Sequence, residues 1–255
     1  MLCAELAQTL SQAQRLWLFL DYDGTLADFA PTPEHVQPNA QVIGLIERLV
    51  ERPRTRVSVI SGRRLDHVEK LLPLPGVFLA GTYGVEMRTW SGERVNRLDY
   101  GTIRPALEIL KPLWSQLIAG RQGFFLEDKG WSLALHARFA ADGEAEAVLG
   151  EARHIAVEKA VSAAFRVLDG HKFLELGPLL AHKGRTVEYL LSRYAWPGAS
   201  LLYLGDDDKD EEAFGVIQAY GGNTIVVASE LRETKADCRL ESPHAARRWL
   251  EKLIG

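Results

Sequence analysis

The chain has 255 residues, 47% of them hydrophobic and 25% charged, and a formal net charge of -4. That composition fits a globular protein of one large or two modest domains, and its mildly acidic balance gives no electrostatic reason to bind nucleic acid. Two cysteines, Cys3 and Cys238, with no paired metal-ligand spacing, support neither a disulfide framework nor a zinc site.

No apolar run reaches the roughly 20 residues a spanning helix needs, so no membrane partner is expected. The N-terminal stretch lacks the basic region and unbroken apolar segment of a signal peptide. The expectation is a cytoplasmic protein in a reducing compartment.

The first informative stretch is Leu16-Trp17-Leu18-Phe19-Leu20, an apolar run ending in Asp21-Tyr22-Asp23-Gly24-Thr25. It reads as a strand covered on both faces. Residues two apart on a strand share a face, so Asp21 and Asp23 are expected to emerge together unless the Gly24 turn redirects the second. Two facing carboxylates repel unless a cation or a proton relieves them. The alternative is an ordinary turn with Asp21 as a helix cap and Thr25 as a turn residue.

Pro31, Pro33 and Pro38 then mark an extended loop, and Asn39 is placed to cap a helix carrying Val42, Ile43, Ile46, Leu49 and Val50. Val57 to Ile60 is the next strand and ends in Ser61-Gly62-Arg63; Phe78 to Ala80 precedes Gly81-Thr82-Tyr83-Gly84. Strand, glycine-bearing loop and helix in alternation predict a parallel α/β sheet with functional loops at the C-terminal strand ends.

From about Gly101 the rhythm changes. A helix over 102–119, bent or broken near Pro105 and Pro112, is followed by strands over 124–126 and 132–138 and a helix over 142–160. A hairpin over 165–176 turning at Asp169-Gly170 completes the stretch. This predicts an α+β module inserted in the α/β domain, giving a core of residues 1–101 and 178–255 and an insert of 102–177. The α/β rhythm returns with a helix opening at Lys183, a strand over 201–204 ending in the acidic run Asp206 to Glu212, a strand over 224–227, and a closing helix capped by Ser242-Pro243.

In an open parallel sheet the strand ends converge, so Asp21, Asp23, Ser61, Lys183 and the acidic run can share one crevice. Acids with a single lysine suit Mg²⁺ and a phosphate. Each piece alone has an ordinary alternative: a turn at Ser61, a solvated lysine, a capping cluster at Asp206 to Glu212.

Together these residues resemble the four motifs of the haloacid dehalogenase superfamily of phosphohydrolases. The resemblance implies a Rossmann-like core in which Asp21 takes the phosphoryl group and Asp23 serves as general acid and then base. It also implies that Ser61 holds the phosphoryl oxygens and Lys183 neutralises charge. The implied Mg²⁺ set is Asp21, Asp23, Asp206 and Asp207, with Asp210 behind it, and Gly62 and Arg63 beside the substrate.

Five further segments, 79–86, 126–130, 133–138, 175–178 and 204–211, are similar to successive motifs of the trehalose-6-phosphate phosphatase family. That likeness implies a cap whose Glu127, Lys129, Arg138 and Glu175 bind the sugar and which closes over the core. Read from pattern alone, Glu127 with Lys129 and His136 with Arg138 are strand-paired polar residues that serve a sugar or an ion-paired solvent face equally well, and Glu175 faces outward. Tyr83, Gly177 and Lys209 depart from the family's usual His, basic residue and Thr. These departures keep phosphatases of other glycosyl phosphates, such as glucosyl- or mannosyl-3-phosphoglycerate, in view, with a non-catalytic sugar-phosphate sensor as the alternative of a different class. The resemblance also raises a trehalose-phosphate synthase as a partner.

Overall fold

The computed structural model describes residues 3–28, 37–160 and 164–254, so the expected loop prolines Pro31 and Pro33 lie outside the described residues. In chain order the elements are α1 (Cys3–Ser11), β1 (Leu16–Leu20), α2 (Ala40–Glu51), β2 (Thr55–Ile60), α3 (Leu65–Leu71), β3 (Val77–Gly81), β4 (Glu86–Arg88) and β5 (Arg94–Asn96). There follow α4 (Tyr100–Leu117), β6 (Phe125–Asp128), β7 (Leu133–His136), α5 (Asp142–Lys159), β8 (Phe165–Gly170) and β9 (Phe173–Pro178). The last are α6 (Lys183–Arg193), β10 (Ser200–Gly205), α7 (Asp208–Ala219), β11 (Asn223–Val227), β12 (Cys238–Leu240) and α8 (Pro243–Glu251).

The chain divides into two units, residues 1–95 with 182–255, and residues 96–181. These borders fall a few residues from the expected 101/102 and 177/178.

The first unit is built on an eight-stranded sheet of order β12-β11-β10-β1-β2-β3-β4-β5, parallel from β12 through β3 and antiparallel at β4. β1 sits inside it, and all five of its residues are fully buried. Alternate side chains feed two cores: Leu16, Leu18 and Leu20 pack with residues of α1, α2, α3 and α8, whereas Trp17 and Phe19 pack with residues of α6 and α7. That explains the unbroken apolar run, because a strand sandwiched between helices has no polar face.

The expected caps are in place. Asn39 accepts from the Gln41 and Val42 amides, and Ser242 accepts from Ala245 with Pro243 at the first helical position.

Cys3 and Cys238 form a disulfide with their Cα atoms 5.7 Å apart, which corrects the reading of them as unpaired. They are 235 residues apart in sequence, and only the packing of α1 beside β12 and α8 brings them together. The cysteine-based argument for a reducing compartment falls with that correction. Among the described residues no helix is long and apolar enough to cross a membrane.

The second unit is a four-stranded antiparallel sheet of order β6-β7-β9-β8 with α4 and α5. α4 is not broken: it runs through Pro105 and Pro112. A proline inside a helix costs on the order of 3 kcal/mol, and burial of Ile103, Leu107, Leu110 and Trp114 along one face offsets it. β7 stops at His136, so Arg138 lies in a turn and not on the strand. The β8–β9 hairpin turns at His171-Lys172, two residues later than expected. Lys172 adopts φ 52° and is held there as its ammonium donates to the Ala140 carbonyl and pairs with Asp142.

Asp128 accepts a two-pronged contact from Arg104 (2.7 Å each) and one from Lys111 (2.8 Å), and these hydrogen bonds, Arg104 first, hold its carboxyl well below the usual range. A carboxyl lowered in the folded state contributes stability above its unfolded pKa of about 4, and that stability is lost as pH falls through the folded value. Asp128→Asn is expected to cost about 1–3 kcal/mol at pH 7 and to flatten the acid dependence of urea unfolding below about pH 4. Cys238→Ser is expected to lose roughly 2–4 kcal/mol, seen as a lower denaturation midpoint that no longer responds to reductant.

Candidate active site

The site grows from the end of β1. Asp21 continues the strand far enough for its amide to donate to the Leu204 carbonyl of β10 (2.9 Å), and its side chain is buried. Gly24, at φ 78°, then turns the chain back so that its amide donates to Ala27. The turn separates the two aspartates: Asp21 Oδ1 accepts from Lys183 Nζ (2.7 Å), and Asp23 accepts both prongs of Arg63, from Nε and Nη2, at 2.7 Å each. Each carboxylate therefore has its own cation.

Lys183 opens α6 and is buried between acids. Its ammonium lies 2.7 Å from Asp21, 2.6 Å from Asp210 and 3.8 Å from Asp207. Burial alone would lower the lysine's pKa; the charges of Asp21, Asp210 and Asp207 overcome it and hold the ammonium well above its ordinary value.

The opposite strain falls on the acids. Burial raises Asp21, with Asp206 and Asp207 adding to the rise and Lys183 opposing it. Asp206 is pushed up to about 7 by burial and then by Asp210, against Lys183. Asp207 goes the other way: burial would raise it, but Lys183 and Lys209 hold it below the usual range.

The acidic run is a loop and a helix start. Asp207 caps α7, accepting from the Lys209 and Asp210 amides through Oδ1, while Oδ2 accepts from Lys209 Nζ at 3.2 Å. Asp210 returns the capping box and accepts four hydrogen bonds: from Lys183 and the Tyr203 hydroxyl at Oδ1, and from the Asp206 and Asp207 amides at Oδ2. Gly205 is required beneath it, since a Cβ there would lie 2.1 Å from the Asp210 carboxyl carbon. A cavity of about 480 Å³ opens beside Asp206, with Gly24, Ala228 and Arg232 in its wall.

Carboxylate oxygens of Asp21, Asp206 and Asp210 lie within 4.8 Å of one another, a group that could hold a divalent cation. The donor set fits one: hard oxygens, partly buried, with carboxyls raised first by burial and then by neighbouring acids.

Ser61 directly follows β2, and its buried side chain accepts at Oγ from the Arg63 amide (3.1 Å). The adjoining loop backs it. Thr82 and Tyr83 adopt φ 48° and 53°, followed by Gly84 at 93°, three successive residues in the left-handed region. The loop is held by Thr82 amide to Arg63 carbonyl (2.6 Å), Tyr83 amide to Ser61 carbonyl (2.8 Å) and Thr186 Oγ1 to Tyr83 carbonyl (2.7 Å). The Tyr83 ring lies over Gly62, where a Cβ would come within 2.6 Å of it.

Three contributors were not expected from sequence. Thr25, read as a turn residue, is fully buried, with Oγ1 3.1 Å from Asp21 and 3.2 Å from Asp206. Tyr203 braces Asp210, and its place on an apolar strand gave no polar signal. Arg232, in the β11–β12 connection, donates to the Asp206 carbonyl (2.8 Å) and pairs with Asp208.

In the second unit, Glu175 is buried, 1% exposed, not outward-facing, and accepts from Lys129 Nζ (3.1 Å) and Ser132 Oγ (2.5 Å). Glu127 lies 3.0 Å from His136 Nε2, and Arg138 is exposed in the turn after β7. The structure thus brings Lys129 and Glu175 together and places Arg138 in the turn after β7.

Lys183→Met is expected to be strongly destabilising, by about 3–5 kcal/mol, because it strands buried carboxylates without their cation. Thermal unfolding should show it, and Asp210→Asn in the same background should recover part of the loss.

Comparison with known proteins gives a consistent result. Residues 19–244 match the model of the Trehalose-phosphatase family. A trehalose-phosphate phosphatase of Mycobacterium avium is 32% identical over 249 residues, covering 92% of this chain and 61% of that protein. The chain therefore spans about 61% of the length of that relative. Trehalose 6-phosphate phosphatase RA3 of Zea mays is 26% identical, over 95% of this chain and 71% of its own. Among solved structures, the C-terminal domain of the Candida albicans trehalose-6-phosphate phosphatase superposes with a TM-score of 0.84 at 23% identity, covering 99% of this chain and 96% of that one.

Proposed function

The chain belongs to the trehalose-phosphatase family, a branch of the haloacid dehalogenase superfamily, and from that premise we propose that it hydrolyses trehalose 6-phosphate to trehalose and phosphate. The observation that carries this reading is the gathering of Asp21, Lys183, Asp206 and Asp210 from three different segments of chain into one buried cluster. Structural bracing alone does not account for a cluster with more acid than base in a protein interior, since unpaired buried charge is costly.

In the proposed reaction an Asp21 carboxylate oxygen attacks phosphorus, forming the aspartyl-phosphate as the bond from phosphorus to the sugar oxygen breaks. Asp23 gives its proton to that leaving oxygen. It then takes a proton from water as the water attacks the aspartyl-phosphate, and phosphate leaves with Asp21 restored. Ser61 Oγ donates to the phosphoryl oxygens, Gly62 admits them close to the backbone, and Lys183 orients Asp21 and offsets the negative charge.

A divalent cation, proposed to be Mg²⁺, supplies further charge neutralisation when bound. Asp21 and Asp206 are the residues proposed to hold it with their side chains. Asp207 is taken up in capping α7 and pairing with Lys209, and the Asp23 carboxylate is engaged by Arg63. Their part in the metal set is correspondingly smaller.

Selection of the sugar is assigned to the second unit, where Glu127 with His136 and Lys129 with Glu175 supply fixed donors and acceptors, and Arg138 an exposed guanidinium. A cytoplasmic location belongs to the same proposal. It requires the Cys3–Cys238 bond to survive, or be dispensable, in a reducing milieu.

Phosphate release is the test, measured with trehalose 6-phosphate, glucose 6-phosphate and glucosyl-3-phosphoglycerate, with Mg²⁺ and with chelator. The expected outcome is magnesium-dependent preference for trehalose 6-phosphate, abolished by Asp21→Asn with substrate binding retained. Preference for another glycosyl phosphate would keep the chemistry and move the substrate; no release from any would end the phosphatase reading.

A further inference from the structure

We propose that Arg63 is a positioning residue for Asp23: it fixes the carboxylate that handles the proton and ties its place to that of Ser61. The inference rests on the acid–base role given to Asp23 above. It arises at the turn after β1, where, among the described residues, Arg63 is the side chain that holds the Asp23 carboxylate.

Asp23 sits on a turn, and its side chain is 24% exposed. A carboxylate there has free rotation unless something stops it. Arg63 does so with two parallel contacts, Nε to Oδ2 and Nη2 to Oδ1, both 2.7 Å. A fork of that kind sets both the plane and the direction of a carboxylate, which a single ammonium contact cannot do.

Arg63 is in turn held from three sides. Its amide donates to Ser61 Oγ (3.1 Å), its carbonyl accepts from Thr82 (2.6 Å), and Nη1 reaches His67 Nδ1 (3.3 Å) on the first turn of α3. The Thr82 contact comes from the left-handed loop whose next amide, that of Tyr83, fastens the Ser61 carbonyl. One three-residue turn, Ser61-Gly62-Arg63, thus sets the hydroxyl that meets the phosphoryl group and the guanidinium that aims the proton carrier. Misplacing a reacting group by about 1 Å costs on the order of 10²-fold in rate, so such coupling has a kinetic consequence.

The proton passes from the Asp23 carboxyl to the leaving oxygen and returns to Asp23 from the attacking water; Arg63 neither gives nor accepts one. The two-pronged contact holds the ionised carboxylate, the form that takes the proton of the attacking water, and while Asp23 carries a proton toward the leaving oxygen Arg63 keeps hold of the other oxygen.

The experiment compares wild type, Arg63→Met, Asp23→Asn and the double variant on a series of aryl phosphates of rising leaving-group basicity, and on trehalose 6-phosphate. Arg63→Met is expected to lower kcat about 10²-fold on basic leaving groups while KM stays within about threefold, the signature of a group acting on the transition state and not on binding. With 4-nitrophenyl phosphate, whose leaving group needs no proton, a burst of one nitrophenolate per enzyme should precede slow turnover. In the Asp23→Asn background the Arg63→Met change should add less than about twofold, because the residue through which it acts is gone. Arg63→Lys, which keeps the charge and loses the fork, should fall between wild type and Arg63→Met and serves if Arg63→Met does not fold.

A rise in KM with kcat intact would overturn the proposal and make Arg63 a substrate ligand. Multiplicative losses in the double variant would overturn it as well. Wild-type turnover of the aryl series without turnover of trehalose 6-phosphate would sink the substrate reading alone, and the aryl data would still decide the role of Arg63.

Discussion

The contact on which the first unit's site depends is the buried ammonium of Lys183 between Asp21 and Asp210. Taking an ammonium and carboxylates out of water costs several kcal/mol per ion, and the cost is recovered only with close, saturated contacts. Asp210 is saturated, with four donors on two oxygens. Asp21 and Asp206 are not: they share one Thr25 hydroxyl, which can give its proton to only one of them at a time. The site gathers more acids, Asp21, Asp206, Asp207 and Asp210, than ammonium groups, Lys183 and Lys209, and burial raises Asp21 and Asp206. The unsaturated acids, Asp21 and Asp206, are those proposed to hold the divalent cation.

Such a cluster survives because its members stand on rigid supports. Asp21 is tied to β10 by a backbone hydrogen bond, Asp210 is fixed by the capping box that starts α7, and Lys183 opens α6, whose Thr186 also grips the Tyr83 loop. The left-handed loop is a local cost of order 1–3 kcal/mol for each such non-glycine residue, and Thr82 and Tyr83 carry it. Its amides hold Ser61 and Arg63, so the strain is located where the phosphoryl group is proposed to bind. Parallel strands make this geometry available, since β1, β2 and β10 end on the same side of the sheet.

What could be read from sequence were features with a short-range physical cause. The run Leu16 to Leu20 had to be a doubly covered strand, and Asn39 and Ser242-Pro243 had to start helices. The α/β core and inserted α+β module followed from the change of rhythm near Gly101. Hidden features were those decided by packing between distant segments. The Cys3–Cys238 bond depends on α1 lying beside the far edge of the sheet, and Tyr203 gains its partner only when α7 folds back over β10. Helix α4 defied its prolines because a buried face outweighs two missing hydrogen bonds. Glu175 looked outward by alternation but found Lys129 and Ser132 on its own face of the sheet.

The departures from the family pattern also acquire physical meaning in the structure. Gly177 stands in register with Arg166 at the end of β9, and a Cβ there would lie 3.2 Å from the Cβ of Ser132. That is tighter than ordinary contact, so a larger residue would displace Ser132, whose hydroxyl holds Glu175. Glycine at 177 therefore goes with the short Ser132–Glu175 contact. Tyr83 follows the same logic in the first unit: its ring occupies the space over Gly62 that any side chain at 62 would need. Lys209, where the family usually has Thr, places an ammonium on Asp207 Oδ2 and leaves Asp206 as the less neutralised of the two adjacent acids. Each departure is thus matched by a neighbour, Ser132, Gly62 or Asp207, and the proposed chemistry at Asp21, Asp23 and Lys183 proceeds without drawing on any of them.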